Sequence, residues 1–210
     1  MQILTVSDEI VPSVYSLNIR QRFAGVELLL SCGDLPYYYL EFAVSTLNVP
    51  CYYVFGNHDT VEISDSGEEL RAPRGCISLE GRCDHYGGLL LAGLGGCVRY
   101  NRDDGPQYTE REMALRVLRL APQLFFNRRR YGRYLDVMLA HSPPQGIHDM
   151  PQGAHRGFVA LRRLIERFAP RYFIHGHVHR TYNATAAAET QHGTTLVLNT
   201  AGYRTLIITP

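Results

Sequence analysis

The chain has 210 residues, 45% of them hydrophobic, with 21 basic against 20 acidic side chains and a formal net charge of +1. That is material for one large domain spanning 1–210, and the near-neutral balance excludes a strong nucleic-acid or membrane field while leaving a small anionic substrate open. Every basic side chain is arginine, which also excludes Schiff-base chemistry and a P-loop lysine.

In chain order, short apolar runs with polar or glycine-bearing ends predict strands at 2–7, 26–32, 51–55, 89–94, 136–140, 171–175, 195–199 and 205–209. Helical spacing falls between them at 14–23 and at 37–47, where Pro36 is well placed to open the second helix. Thr109 followed by Glu112 is a capping-box pattern opening a helix at 108–120, which Pro122 should kink or restart. A further amphipathic helix is predicted at 157–168. The alternation of strand and helix predicts a layered α/β fold. The last two strands, separated only by AGYR, predict a hairpin, and the polar stretch 59–70 predicts a surface loop.

Five cysteines without CxxC spacing, no basic leader followed by a long apolar stretch, and no membrane-length apolar run predict reduced thiols in a cytoplasmic protein.

The chemistry sits where strands end. The run 2–7 is followed by Asp8, 26–32 by Gly33-Asp34, and 51–55 by Gly56-Asn57-His58-Asp59; 136–140 is followed by His141, and 171–175 by Gly176-His177-Val178-His179. Carboxyl ends of strands in α/β sheets gather at one edge, so five distant segments can deliver carboxylates, an amide oxygen and imidazoles to one crevice. Oxygen and imidazole donors without thiolate suit Mn, Fe or Zn. Singly, each element has an ordinary explanation as a helix cap, a turn or a core histidine; their ordered conjunction does not.

This series, with GNHD and GHxH in order, resembles the calcineurin-like metallophosphoesterases over positions 8–179. The resemblance implies a four-layer αββα sandwich, with two mixed β-sheets packed face to face and helices outside. It also implies two divalent ions, Mn or Fe with Zn, Ni or Mg as further candidates. Asp34 would bridge them, Asn57, His141 and His177 would complete one sphere, and Asp8 and His179 would serve the other. His58 resembles the family's general acid, with Asp59 orienting its ring. His175, inside its apolar run, is expected to be a core or supporting histidine.

The sequence departs from the family at the first motif, where Asp8-Glu9-Ile10 stands in place of D-x-H. Glu9 is not expected to substitute, because on an extended chain it points away from Asp8. The favoured expectation is that water completes the Asp8-side ion, which then binds more weakly; a distant residue filling the gap and a one-metal site are the alternatives. Arg99, Tyr100 and Arg102 are candidate substrate contacts, with loop solvation as the equal alternative; His148 and His155 are expected at the surface, with the pocket rim as the alternative, and Arg128 to Arg130 on a solvated helix face. The expected activity is hydrolysis of a small phosphoester, monoester or diester, without a membrane or nucleic-acid partner; the alternative is a binding module on the same scaffold.

Overall fold

The computed structural model describes residues 1–64, 66–102, 105–179 and 187–209. The strands are β1 (Gln2–Ser7), β2 (Val26–Ser31), β3 (Cys51–Tyr53), β4 (Glu62–Ile63), β5 (Glu69–Leu70), β6 (Cys76–Ser78), β7 (Cys83–Tyr86) and β8 (Leu89–Leu94). They continue with β9 (Cys97–Val98), β10 (Gln107–Tyr108), β11 (Val137–Ala140), β12 (Tyr172–His175), β13 (Glu189–His192), β14 (Thr195–Asn199) and β15 (Gly202–Ile207). The helices are α1 (Ile19–Arg22), α2 (Tyr37–Leu47), α3 (Glu110–Tyr131) and α4 (Val159–Phe168).

Two sheets carry the fold. One has the order β15-β1-β2-β3-β6, the other β13-β14-β12-β11-β8-β7. Both are mixed: β1, β2, β3 and β6 run parallel with β15 antiparallel, and β8, β11, β12 and β14 run parallel with β7 and β13 antiparallel.

Strand side chains alternate between faces, and here both faces are apolar because both are covered. Ile3, Leu28 and Leu30 meet Leu91, Val137, Leu139 and Ile174 between the sheets. Leu4, Val6 and Leu29 face the other way onto Ile19, Tyr39 and Leu40 of α1 and α2. Ala92, Met138 and Phe173 face outward onto Met113, Leu120, Leu161 and Leu164 of α3 and α4. The layers are therefore helix, sheet, sheet, helix.

Three expectations change within single elements. The apolar pattern at 14–23 yields only the single turn α1, although Val14, Ile19 and Phe23 are still buried. Pro122 does not restart a separate helix; α3 runs through it to Tyr131 and ends on Gly132 at φ 77°. The segment 59–70 contains a small antiparallel pair, β4 with β5.

The final two strands do not form a hairpin. β14 lies in the second sheet beside β12, while β15 joins the first sheet beside β1. The chain crosses between sheets at Thr200, whose N–H donates to the His175 carbonyl at 2.7 Å and whose hydroxyl bonds the Thr5 hydroxyl. Each sheet thereby gains a hydrogen-bonded neighbour that a hairpin would have confined to one of them.

Candidate metal centre

The carboxyl ends of β1, β2 and β3 from one sheet face those of β11 and β12 from the other. Asp8, Asp34 and His177 each follow a strand and each carries a positive φ, at 65°, 55° and 67°. Non-glycine residues rarely adopt this region, at a cost of about 1–3 kcal/mol each, and such strain concentrates at functional sites. At Asp8 and His177 the chain makes a three-residue turn: Glu9 N–H donates to the Ser7 carbonyl at 2.7 Å, and Val178 N–H to the Gly176 carbonyl at 2.8 Å.

The turns interlock. His177 N–H donates to both Asp8 carboxylate oxygens at 3.0 Å, joining the tips of β12 and β1. Gly176 permits this approach, since a Cβ there would lie 2.4 Å from Asp8 Oδ2 and 2.0 Å from Ser7 Oγ. Gly56 does the same for Asp34, whose Oδ1 would lie 2.0 Å from a Cβ at that position. Asp34 Oδ1 accepts from His58 N–H at 2.7 Å.

Asp34, His141 and His177 each direct one donor atom into a cluster whose members all lie within 4.8 Å of one another. Asn57 joins it: its Oδ1 stands 3.0 Å from His141 Nε2, while its Nδ2 donates to the Tyr100 hydroxyl at 3.4 Å. The tautomers follow from fixed partners. His141 Nδ1 faces the Cys32 carbonyl at 2.7 Å and must donate to it, so its Nε2 is the nitrogen facing Asn57 Oδ1 and, at 3.3 Å, Asp34 Oδ2. His177 Nε2 donates to the Ala154 carbonyl at 2.8 Å, leaving Nδ1 with the lone pair.

A neutral His141 would thus point a lone pair at two oxygen acceptors. Such an arrangement requires a cation among them or a proton on the ring. Burial opposes charge on His141, but the neighbouring Asp34 carboxylate outweighs it and pushes the ring up to about 9. In return Asp34, despite its own burial, is drawn down to about 2 by His141 and by the His58 N–H. His177 goes the other way, to about 3, through burial and the nearby His141. Two ligand atoms each about 2.1 Å from one ion stand roughly 3.0 to 3.4 Å apart, the spacing of His141 to Asn57 and to Asp34. The donor set fits a divalent ion.

The remaining candidates are placed differently. Asp8 is half-buried, its carboxylate taking the His177 N–H, and desolvation raises its carboxyl. His179 lies at the outer end of the same loop, with Nδ1 3.2 Å from Glu9 Oε1, and among the described residues no compact donor cluster forms on this side. His58 is exposed beside Asp34. Asp59 does not hydrogen-bond the His58 ring among the described residues; its Oδ2 instead accepts from Gly56 N–H at 2.7 Å and Asp34 N–H at 3.0 Å, clamping two loops. Burial raises that carboxyl to about 6. Arg99 is paired with Glu112 at 3.0 Å and the Gln107 carbonyl at 3.2 Å, which turns its guanidinium onto the start of α3, whereas Tyr100 borders the centre through Asn57.

Three contributors escape the sequence reading. The Ala154 carbonyl carries no side-chain signal at all. His155, expected at the surface, packs its ring 4.9 Å from that of His177. His148, also expected outside, reaches inward at φ 60°: its Nδ1 donates to His175 Nε2 at 3.0 Å, and His175 Nδ1 donates to the Gly176 carbonyl at 2.9 Å. His175 is accordingly a buried supporting residue, not part of the donor cluster. The usable signal was the Gly- and Pro-rich stretch 143–157, which supplies the tight turns that fold these histidines back.

Among curated proteins none matches significantly. A solved chain with 15% identity aligns over 98% of this chain and 94% of its own, at a TM-score of 0.66. TT1561 of Thermus thermophilus aligns at 15% identity over 96% of this chain and 89% of its own, at a TM-score of 0.59. Both share the fold. Vps29 of Entamoeba histolytica, solved with zinc, aligns at 13% identity over 96% of this chain and 74% of its own, with a TM-score of 0.43. The calcineurin-like phosphoesterase family profile matches residues 13–181, most of the chain, and together with the sandwich and its strand-end donors this places the protein in that family.

Proposed function

We propose that the protein is a metal-dependent phosphohydrolase acting on a small phosphoester, nucleotide-like or otherwise, in the cytoplasm. The observation that carries the reading is the convergence of Asp34, Asn57, His141 and His177 from two sheets onto one point. Asp34, Asn57, His141 and His177 would hold one divalent ion, Mn or Fe, with Asp8 and His179 serving a second beside it. Bound there, such ions would offset the charge of phosphate oxygens and make water nucleophilic near neutral pH.

The chain's own groups do the rest. Asp59 ties the Gly33-Asp34 turn to the Gly56-Asn57 turn and so holds two ligand loops at constant separation. Tyr100 takes the Asn57 amide hydrogen and keeps its oxygen turned inward. His58, exposed next to Asp34, is placed to carry a proton to the departing alkoxide. Five cysteines without a disulfide support a reducing compartment.

Ile10, 46% exposed and carrying no ligating atom, supports a second reading as a metal-binding scaffold without turnover. Hydrolysis of p-nitrophenyl phosphate and bis-p-nitrophenyl phosphate with added Mn decides between them. Wild type should turn over at least one, with Asp34→Ala losing activity altogether and His58→Ala losing on the order of 100-fold or more. Equal inertness of all three proteins under Mn, Fe, Zn, Ni and Mg would leave the scaffold reading.

A further inference from the structure

The family's missing imidazole at position 10 leaves the Asp8 side one donor short, and the structure brings an unexpected side chain there. Because the chain reverses at Asp8 instead of running on extended, Glu9 swings back toward the loop after β12. Its Oε1 meets His179 Nδ1 at 3.2 Å, with the two side chains 48% and 29% exposed. A carboxylate can only accept, so the proton lies on Nδ1 and a neutral His179 ring carries its lone pair on Nε2.

The same device recurs at the other two imidazoles. His141 gives one ring nitrogen to the Cys32 carbonyl and His177 gives one to the Ala154 carbonyl, each keeping the opposite nitrogen for the cluster. For His179 the acceptor is a full negative charge. Such a partner fixes the ring's tautomer, raises its basicity as a ligand and adds an anion close to an ion that has lost a neutral ligand.

We propose that Glu9 is the positioning residue of the Asp8-side ion: it holds His179 with Nε2 as the metal donor and thereby compensates for Ile10. This rests on the hydrolase reading only in requiring an ion on that side. Calorimetric titration of the full chain with Mn, comparing wild type with Glu9→Gln and Glu9→Ala, tests it, since Gln still offers an oxygen to Nδ1–H. Wild type should bind two ions. Glu9→Ala should weaken the second about 10–100-fold while leaving the first unchanged, and Glu9→Gln should keep most of the second. Long-range proton–nitrogen NMR of His179 should report Nδ1–H in the metal-free wild type and Glu9→Gln, and a tautomer mixture in Glu9→Ala.

Equal loss of the second ion in both variants would overturn the proposal by making Glu9 a direct ligand. An unchanged second ion in Glu9→Ala, a wild-type ring protonated on Nε2, or a wild type binding one ion would also overturn it. A wild type that binds no ion at all would sink the hydrolase reading with it, whereas two bound ions indifferent to Glu9 would leave that reading standing.

Discussion

Asp34 and His141 pull each other's proton affinity in opposite directions, and this governs how the centre fills. Without a metal, His141 holds a second proton up to about pH 9, because the Asp34 carboxylate overcomes the burial that would otherwise strip it. An ion can take Nε2 only by displacing that proton, so uptake should release close to one proton for the first equivalent at about pH 7 to 8. The sign is fixed by the direction of the shift: affinity should fall as pH drops below about 9, roughly tenfold per unit, and flatten above it. Calorimetry in buffers of different ionisation enthalpy counts the proton directly. A titration with no buffer dependence would mean that His141 is not the nitrogen facing the ion. The residues at this scale that the sequence conceals, Glu9 above all, are hidden by backbone reversal. A positive φ at Asp8 carries no signature in a residue string, and assuming an extended chain sends Glu9 to the wrong side.

At the scale of elements, local rules work where the chain answers to its own neighbours. Thr109 accepts from Glu112 N–H and Glu112 accepts from Thr109 N–H at 2.7 Å, the reciprocal cap expected from their spacing. Arg99 adds a pair to the same Glu112, which ties the loop after β9 to the start of α3. Thr109→Ala should therefore lower stability by about 1 kcal/mol in urea denaturation and leave metal uptake unchanged, since among the described residues its side chain bonds only Glu112. An unaltered midpoint would show that tertiary packing alone fixes the start of α3. The runs at 2–7, 37–47, 89–94 and 195–199 coincide with β1, α2, β8 and β14 because both faces of these elements are buried or strongly periodic. The absent hairpin marks the limit of such reasoning. The strands β14 and β15 have ordinary local patterns, and only the register against β12 and β1 decides which sheet each joins. Two-residue strands such as β9 and β10 likewise exist by virtue of partners, not composition.

Across the whole molecule the centre straddles the seam between the sheets. Asp8, Asp34 and Asn57 project from the ends of the first sheet, and His141 and His177 from the second, above a shared apolar interior. Direct polar contacts already bridge this end, among them His141 to the Cys32 carbonyl, to Asn57 and to Asp34, His177 N–H to Asp8, Gly96 N–H to the Phe55 carbonyl, and Thr5 to Thr200. An ion bound by donors of both sheets would add a further tie between two halves that share this apolar interior. Ligand linkage gives the size of the effect, about 2.7 kcal/mol at a metal concentration roughly 100 times Kd, provided the unfolded chain binds little. For a chain of this length that corresponds to a rise in Tm of roughly 5–10 °C. Differential scanning calorimetry with Mn and with EDTA should show that rise in wild type. It should vanish in Asn57→Ala and His141→Ala alike, although the two side chains belong to different sheets. If only one substitution abolished the shift, the ion would sit on a single sheet and the seam would owe it nothing.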